Sequence, residues 1–257
     1  MICRLTAGLI ALIAAPATAA LPKDPLGSPM WEFVGDQVFG KDAVVRFDSR
    51  VKVRFPTIAE NQRSFPVEVD ARTIPDAVRI VIMVDLNPIQ LPLDFRLADA
   101  DAFVATRIKL DQRTPVRGAV QLKDGSWLVS GGWIDAAGGG CSAPPVSRVK
   151  GDWSQHLGEV RGGLWQDGGG SRLRLAFRHP MDTGLVDNIA AYYLNDVAIT
   201  ASTGRLLGSF KFQAALAEDP VVTLQPRLRP GETVRFDGRD TNGVEFRGDV
   251  SLAEVLR

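Results

Sequence analysis

Along most of this chain apolar and polar residues alternate with a period of two, and no other feature restricts its fold so tightly. Val51, Val53 and Phe55 fall on one side, with Lys52 and Arg54 on the other. Val67 and Val69 repeat the pattern around Glu68, and Val78, Ile80, Ile82 and Val84 make the strongest run. Successive side chains of a strand point to opposite faces, so each run predicts a half-buried strand. Phe103 to Leu110, Val116 to Leu122 and Trp127 to Trp133 complete a first set between Val44 and Asp135. Asp124-Gly125 separates the last two, a hairpin turn because glycine tolerates the positive φ such turns need. A second set follows: Leu173, Leu175 and Phe177 among Arg172, Arg174 and Arg178, then Phe210 and Phe212 about Lys211. Val234 and Phe236 flank Arg235, and Asn242-Gly243 turns that strand toward Val244 and Phe246. Helical periodicity is weak, with one short leading helix expected over Trp31 to Phe39.

The expectation is an all-β chain: two immunoglobulin/fibronectin-like antiparallel β-sandwich domains joined by a Gly-rich linker. No Cys-Trp-Cys pattern marks an antibody-type domain. The 257 residues are long enough for two such cores. The boundaries read as a leader at 1–20, a first sandwich at 30–141, a linker at 142–170 and a second sandwich at 171–257. The leader has the three parts of an export signal: Arg4, the apolar run Leu5 to Ala15, and Ala17-Thr18-Ala19 after Pro16. Its apolar run falls short of the ~20 residues of a spanning helix. The later run Val78 to Leu86 is broken by Arg79 and Asp85, so a periplasmic protein with no membrane span is expected.

Charge and composition exclude several functions. Thirty Lys+Arg balance thirty Asp+Glu, which leaves no basic excess for nucleic acid. Two histidines and two cysteines leave little material for metal or acid–base chemistry. Loss of the leader removes Cys3 and makes Cys141 a solitary thiol, unable to form an internal disulfide. Gly138, Gly139 and Gly140 precede it, and Pro144-Pro145 follow. Glycines free the backbone and clear space around the sulfur, so they predict an accessible arm that presents a nucleophilic thiol to a partner's pocket. The bland alternative is a small buried residue in a turn.

The residues around this thiol carry a family resemblance. Gly139-Gly140-Cys141, Trp133-Ile134-Asp135, Val84-Asp85-Leu86-Asn87-Pro88 and Ser126-Trp127-Leu128-Val129 resemble SoxY. Arg178-His179-Pro180-Met181-Asp182-Thr183-Gly184 resembles SoxZ, as do Ile189 to Tyr193, Asp219-Pro220, Pro230-Gly231-Glu232 and Asp240 to Gly243. Together these cover nearly the whole chain after the leader. SoxY and SoxZ are the two subunits of the periplasmic sulfur-oxidation carrier, and the single-chain arrangement is similar to the fused SoxYZ-like carriers associated with quinoprotein dehydrogenases. The resemblance implies that Cys141 carries a sulfur species covalently, without catalysis or a cofactor of its own. It implies periplasmic redox partners: c-type cytochromes, a thioconjugate hydrolase and a PQQ-dependent dehydrogenase. Ser142-Ala143 stands where the family has two further glycines, and the arm is internal, so it reaches less far than a free tail.

Other constellations point elsewhere more weakly. His179 and Met181 have Cu(I)-suited side chains, but one such pair is an incomplete ligand set and His156 lies in the expected linker. His179, Pro180, Met181, Thr183 and Gly184 are therefore expected to shape a turn, with no metal bound. No Gly-x-Ser-x-Gly elbow occurs, and Gly168 to Gly170 lack the Lys-Ser/Thr of a phosphate loop. Asp182 and Asp187 read as solvated loop carboxylates, and Arg148 and Lys150 as solvated linker charges, with attraction of an anionic group on the Cys141 thiol as their alternative role. Trp165, Tyr192 and Tyr193 read as core or interface packing. A rival function remains open: an accessory docking module for a periplasmic quinoprotein dehydrogenase or cytochrome, with Cys141 incidental.

Overall fold

Fifteen strands and two short helices account for the alternation in the computed structural model, which describes residues 21–40, 42–167 and 170–251. The leader expected at 1–20 lies outside the described residues. In order, the elements are α1 (Trp31–Val38), β1 (Val45–Phe47), β2 (Lys52–Arg54), β3 (Phe65–Asp70), β4 (Ala77–Val84), β5 (Leu93–Leu97) and β6 (Ala100–Ile108). Then come β7 (Thr114–Leu122), β8 (Trp127–Ile134), α2 (Val146–Lys150), a 3-10 turn at Trp153–Gln155, β9 (Val160–Asp167) and β10 (Gly170–Phe177). The chain closes with β11 (Leu194–Ala201), β12 (Leu206–Phe212), β13 (Val221–Pro226), β14 (Val234–Asp240) and β15 (Glu245–Val250). Both expected hairpin glycines sit at positive φ, Gly125 at 85° and Gly243 at 87°.

The strands form two sheets. One has nine strands in the order β1-β8-β7-β4-β5-β12-β11-β14-β15, the other six in the order β2-β3-β6-β13-β10-β9. All pairings are antiparallel except β1 with β8. The all-β expectation therefore holds, and the two sandwiches lie edge to edge with both sheets running through. At the seam β5 pairs with β12 and β6 with β13, so each half covers the other's open edges. Phe95 and Phe210 face each other across the β5–β12 pair with stacked rings 4.3 Å apart. A single hydrophobic core extends through both halves, from Val51 and Phe65 to Phe236 and Phe246. On the outer face of the first half, α1 lays Trp31, Val34 and Val38 over Met83, Trp127 and Val129. This realises the expected leading helix.

The glycine-rich stretch 142–170 is not a plain linker. It contains α2, the 3-10 turn and β9, which pairs along its whole length with β10 and forms the edge of the six-stranded sheet. Two of its glycines are packing residues: a Cβ on Gly162 would lie 2.4 Å from Val250, and the Trp165 ring occupies the space beside Gly163. Leu164 is fully buried.

Candidate functional site

The path from β8 to Cys141 is set by backbone contacts. Gly140 donates its N–H to the Leu110 carbonyl at 3.0 Å, and Leu110 donates to Gln62 at 2.7 Å. A Cβ on Gly140 would sit 2.3 Å from the Leu110 oxygen and 2.5 Å from that of Gln62, so only glycine fits there. Gly138 is at φ 100°, where a Cβ would come within 2.8 Å of the Asp111 carbonyl. The expectation that these glycines loosen an arm is thus corrected for Gly138 and Gly140 in this conformation: they let the arm press against the exit of β6, while Gly139 sits at φ 82° with open space around it.

Cys141 itself is buried at 0% exposure, contrary to the accessible thiol expected from its glycines. Asp111 straps it down: one carboxylate oxygen accepts from the N–H of Cys141 at 3.0 Å, the N–H of Ser142 at 3.1 Å and the Ser142 hydroxyl at 3.0 Å. Thr183 donates its hydroxyl to the Cys141 carbonyl at 2.7 Å. Asn87 fixes the same corner, donating to the Lys109 carbonyl at 2.7 Å and accepting from the Asp111 N–H at 3.0 Å, with its amide 3.9 Å from the sulfur. Beyond the thiol, Glu218 accepts from the N–H groups of Val146 and Ser147 at 2.7 Å each, and Arg63 donates to the Pro144 carbonyl at 3.2 Å. The arm is held on both sides of its cysteine.

Burial governs the electrostatics. It pushes the Cys141 thiol up to about 12, against the pull of the nearby Lys109 charge and with a small push from Asp111. Lys109 is 4% exposed, with its ammonium donating to the carbonyls of Met181 and Ala214. Burial lowers it to about 8, although Cys141, Asp182 and Glu218 favour its charged form. In this conformation the thiol is protonated and shielded, and so a poor nucleophile.

The second motif forms the opposite wall. His179 and Met181 are buried, and two of their ligand atoms are occupied: His179 Nδ1 accepts from the Met181 N–H at 3.0 Å, and Met181 Sδ accepts from Leu194 N–H at 3.4 Å, while His179 Nε2 has no hydrogen-bond partner among the described residues. Pro180 is buried with them. Met181 adopts φ 51° and Gly184 φ 76°. The bond into Nδ1 puts the proton of neutral His179 on Nε2, which faces Asp240 at 3.5 Å. Tyr192 donates to the same Asp240 carboxylate at 2.6 Å.

Burial lowers His179 to about 4, with Asp240 opposing it. The unfolded chain takes up a proton near 6.5 that the folded one refuses until about 4. Stability present at neutral pH is therefore expected to fall as pH drops through that window, by on the order of 3 kcal/mol. Denaturant unfolding at pH 7, 5.5 and 4 checks this against His179→Gln, which should flatten that part of the profile.

Several expectations need correcting. Asp182 is wholly buried and pairs with Arg148, whose guanidinium also lies 3.7 Å over Trp153. Neither is a free solvated charge. Trp165, expected in core or interface packing, is 41% exposed and lies outside the core, whereas Tyr192 is buried and Tyr193 half-buried. Lys150 and Asp187 are exposed, and His156 pairs with Glu159 at 2.8 Å. The site also recruits Lys109, Asp111 and Asn87. Only Asn87 lay within a motif singled out in the sequence, and a lysine next to the inward-facing Ile108 was the available hint for Lys109.

Residues 36–141 match the family model of the sulfur oxidation protein SoxY, a stretch that runs from within α1 to Cys141. No curated protein matches the chain. Among solved structures, the sulfur carrier protein SoxY from Chlorobium limicola f thiosulfatophilum is similar at 21% identity and a TM-score of 0.37, covering 41% of this chain and 94% of that one. A structure of the receptor tyrosine kinase Torso is similar at 9% identity and a TM-score of 0.24, covering 82% of this chain and 76% of that one. A β-glycosidase from Bacteroides vulgatus is similar at 13% identity and a TM-score of 0.24, covering 79% of this chain and 24% of that one.

Proposed function

We propose that this chain is a non-catalytic carrier that holds a sulfur species as a covalent conjugate on Cys141 and presents it to separate redox enzymes. The match to the SoxY family model, which runs through the first sandwich and ends on Cys141, supports this reading most directly. Loading joins Cys141 to a sulfur anion through a new S–S bond. The thiol proton goes to solvent and two electrons go to a partner redox protein of the c-type cytochrome class. A thioconjugate hydrolase would then cut the outer group from the carried sulfur with water. The second half, SoxZ-like in its 178–184 motif, supplies Thr183, whose hydroxyl bonds the Cys141 carbonyl, and the Met181 carbonyl that accepts from Lys109. Export to the periplasm and proximity to a PQQ-dependent dehydrogenase belong to the same reading. Delivery requires the arm to leave its seat, since a buried thiol reaches no partner.

A second reading is favoured by that burial: an accessory module docking on a periplasmic dehydrogenase or cytochrome, with Cys141 inert. The intact mass of protein taken from cells oxidising reduced sulfur separates the two. A mass excess that maps to Cys141, vanishes on mild reduction and is absent from Cys141→Ser is expected. Bare thiol in such cells would transfer the assignment to the accessory module.

A further inference from the structure

The exposed faces of the two sheets handle charge differently. On the nine-stranded sheet, β14 and β15 neutralise themselves: across the strands Arg235 meets Asp249 at 2.9 Å and Arg247 meets Asp237 at 2.6 Å, and within β15 Arg247 meets Glu245 at 3.1 Å. This is the ordinary arrangement of a solvated sheet. The six-stranded sheet does the same at its β2–β3 end, where Arg54 and Arg72 pair with Glu68 and Asp70, and at the start of β6, where Asp101 meets Arg227 at 2.7 Å.

Farther along β6, and across the facing parts of β13, β10 and β9, the pattern changes. Registers place Ala105, Thr223, Arg174 and Gly163 in one row of that face, and Arg107, Val221, Ala176 and Arg161 near it in the next. Arg107, Arg161 and Arg174 are exposed and have no carboxylate partner within 4.0 Å among the described residues. Arg107 and Arg174 border a shallow depression floored by Ala105, Val221 and Thr223, with the exposed Trp165 on its rim. Like charges gathered without partners raise the potential of a face and gain free energy when opposite charges arrive. Arginine and tryptophan are also the residue types that anchor protein interfaces. The chain as a whole has a formal net charge of zero, so this face is a local concentration and not a reflection of the composition.

We propose that the outer face of β6–β13–β10–β9 is a docking surface for a partner protein whose contact face is acidic. The face straddles the seam between the halves, so its arginines come together only when both sandwiches are in place. The inference goes beyond the carrier reading and does not depend on the chemistry of Cys141.

Binding of poly-L-glutamate to the intact chain at low ionic strength, read by titration calorimetry, tests it. Vesicles of phosphatidylglycerol serve as the competing occupant. Arg107→Glu/Arg174→Glu is expected to weaken poly-L-glutamate binding at least tenfold. Arg235→Glu/Arg247→Glu, which changes net charge equally on the self-neutralised face, should leave it within twofold of the parent. Cys141→Ser should bind as the parent does, so a failed search for cargo on the thiol leaves this result standing. Equal loss in both double variants, no binding of poly-L-glutamate, or arginine-dependent binding of vesicles alone would overturn the proposal.

Discussion

Alkylation of Cys141 in the native protein at pH 8 is expected to run about 1,000-fold slower than that of an unhindered thiol. A thiol at the ordinary value of 9.0 is roughly one-tenth ionised there, while one raised to about 12 is ionised in roughly one molecule in ten thousand. Burial blocks the reagent as well. Gly140→Ala should abolish most of this protection, because its Cβ would meet two backbone oxygens at 2.3 and 2.5 Å and the arm could not seat. Asp111→Ala is the gentler companion: it removes the carboxylate that accepts three bonds from Cys141 and Ser142 and leaves the glycines alone. Iodoacetamide labelling followed by mass spectrometry gives both rates. Labelling of the parent at the free-thiol rate would show that the seated arm is not the resident state. For a carrier, the protection has a clear use: a shielded thiol is spared oxidation between rounds and becomes a nucleophile only when released.

The largest stability effect is expected at Arg117, which makes no contact with the thiol. This side chain is fully buried in β7 and bonds bidentately to Asp24 at 2.9 and 2.7 Å, while meeting Asp85 at 3.0 and 2.9 Å. Its guanidinium also lies 4.7 Å from the Trp31 ring. Arg117→Met removes the one cation between two buried carboxylates and should cost about 3–5 kcal/mol in urea unfolding. Asp24 is what ties the segment ahead of α1 to the sheet. The burial that would raise its carboxyl is outweighed by the bonds from Arg117, Ser28 and Leu26, which hold it below the usual range. The same variant should therefore expose this segment to proteolysis while leaving Cys141 labelling unchanged. A loss under about 1 kcal/mol would mean that the buried ions are neutralised in some other way.

Strand positions were legible because period-two alternation needs only neighbours in sequence: β4, β7, β8 and both Gly turns stand where the pattern put them. The leading helix was equally local. β9 was not legible, since Gly162 and Gly163 hide its alternation, and their purpose appears only once Val250 and Trp165 are packed against them. Arg148 and Asp182 carry charges that read as solvated in isolation, and their pairing joins positions that only folding brings close.

The thiol shows the same division most sharply. Its solitude after loss of the leader, its glycine approach and its resemblance to SoxY are properties of the residues themselves, and they are enough to single out Cys141. Whether those glycines loosen or lock cannot be settled locally, because a residue without a Cβ permits both free motion and close approach. The choice rests on what lies opposite: the Leu110 and Gln62 carbonyls under Gly140, the Asp111 carboxylate over Cys141, and Thr183 from the other half of the chain. The sequence alone thus determined which atom to watch, and the tertiary structure decided that it is seated and protonated, because burial between two sandwiches removes the water that would stabilise its anion.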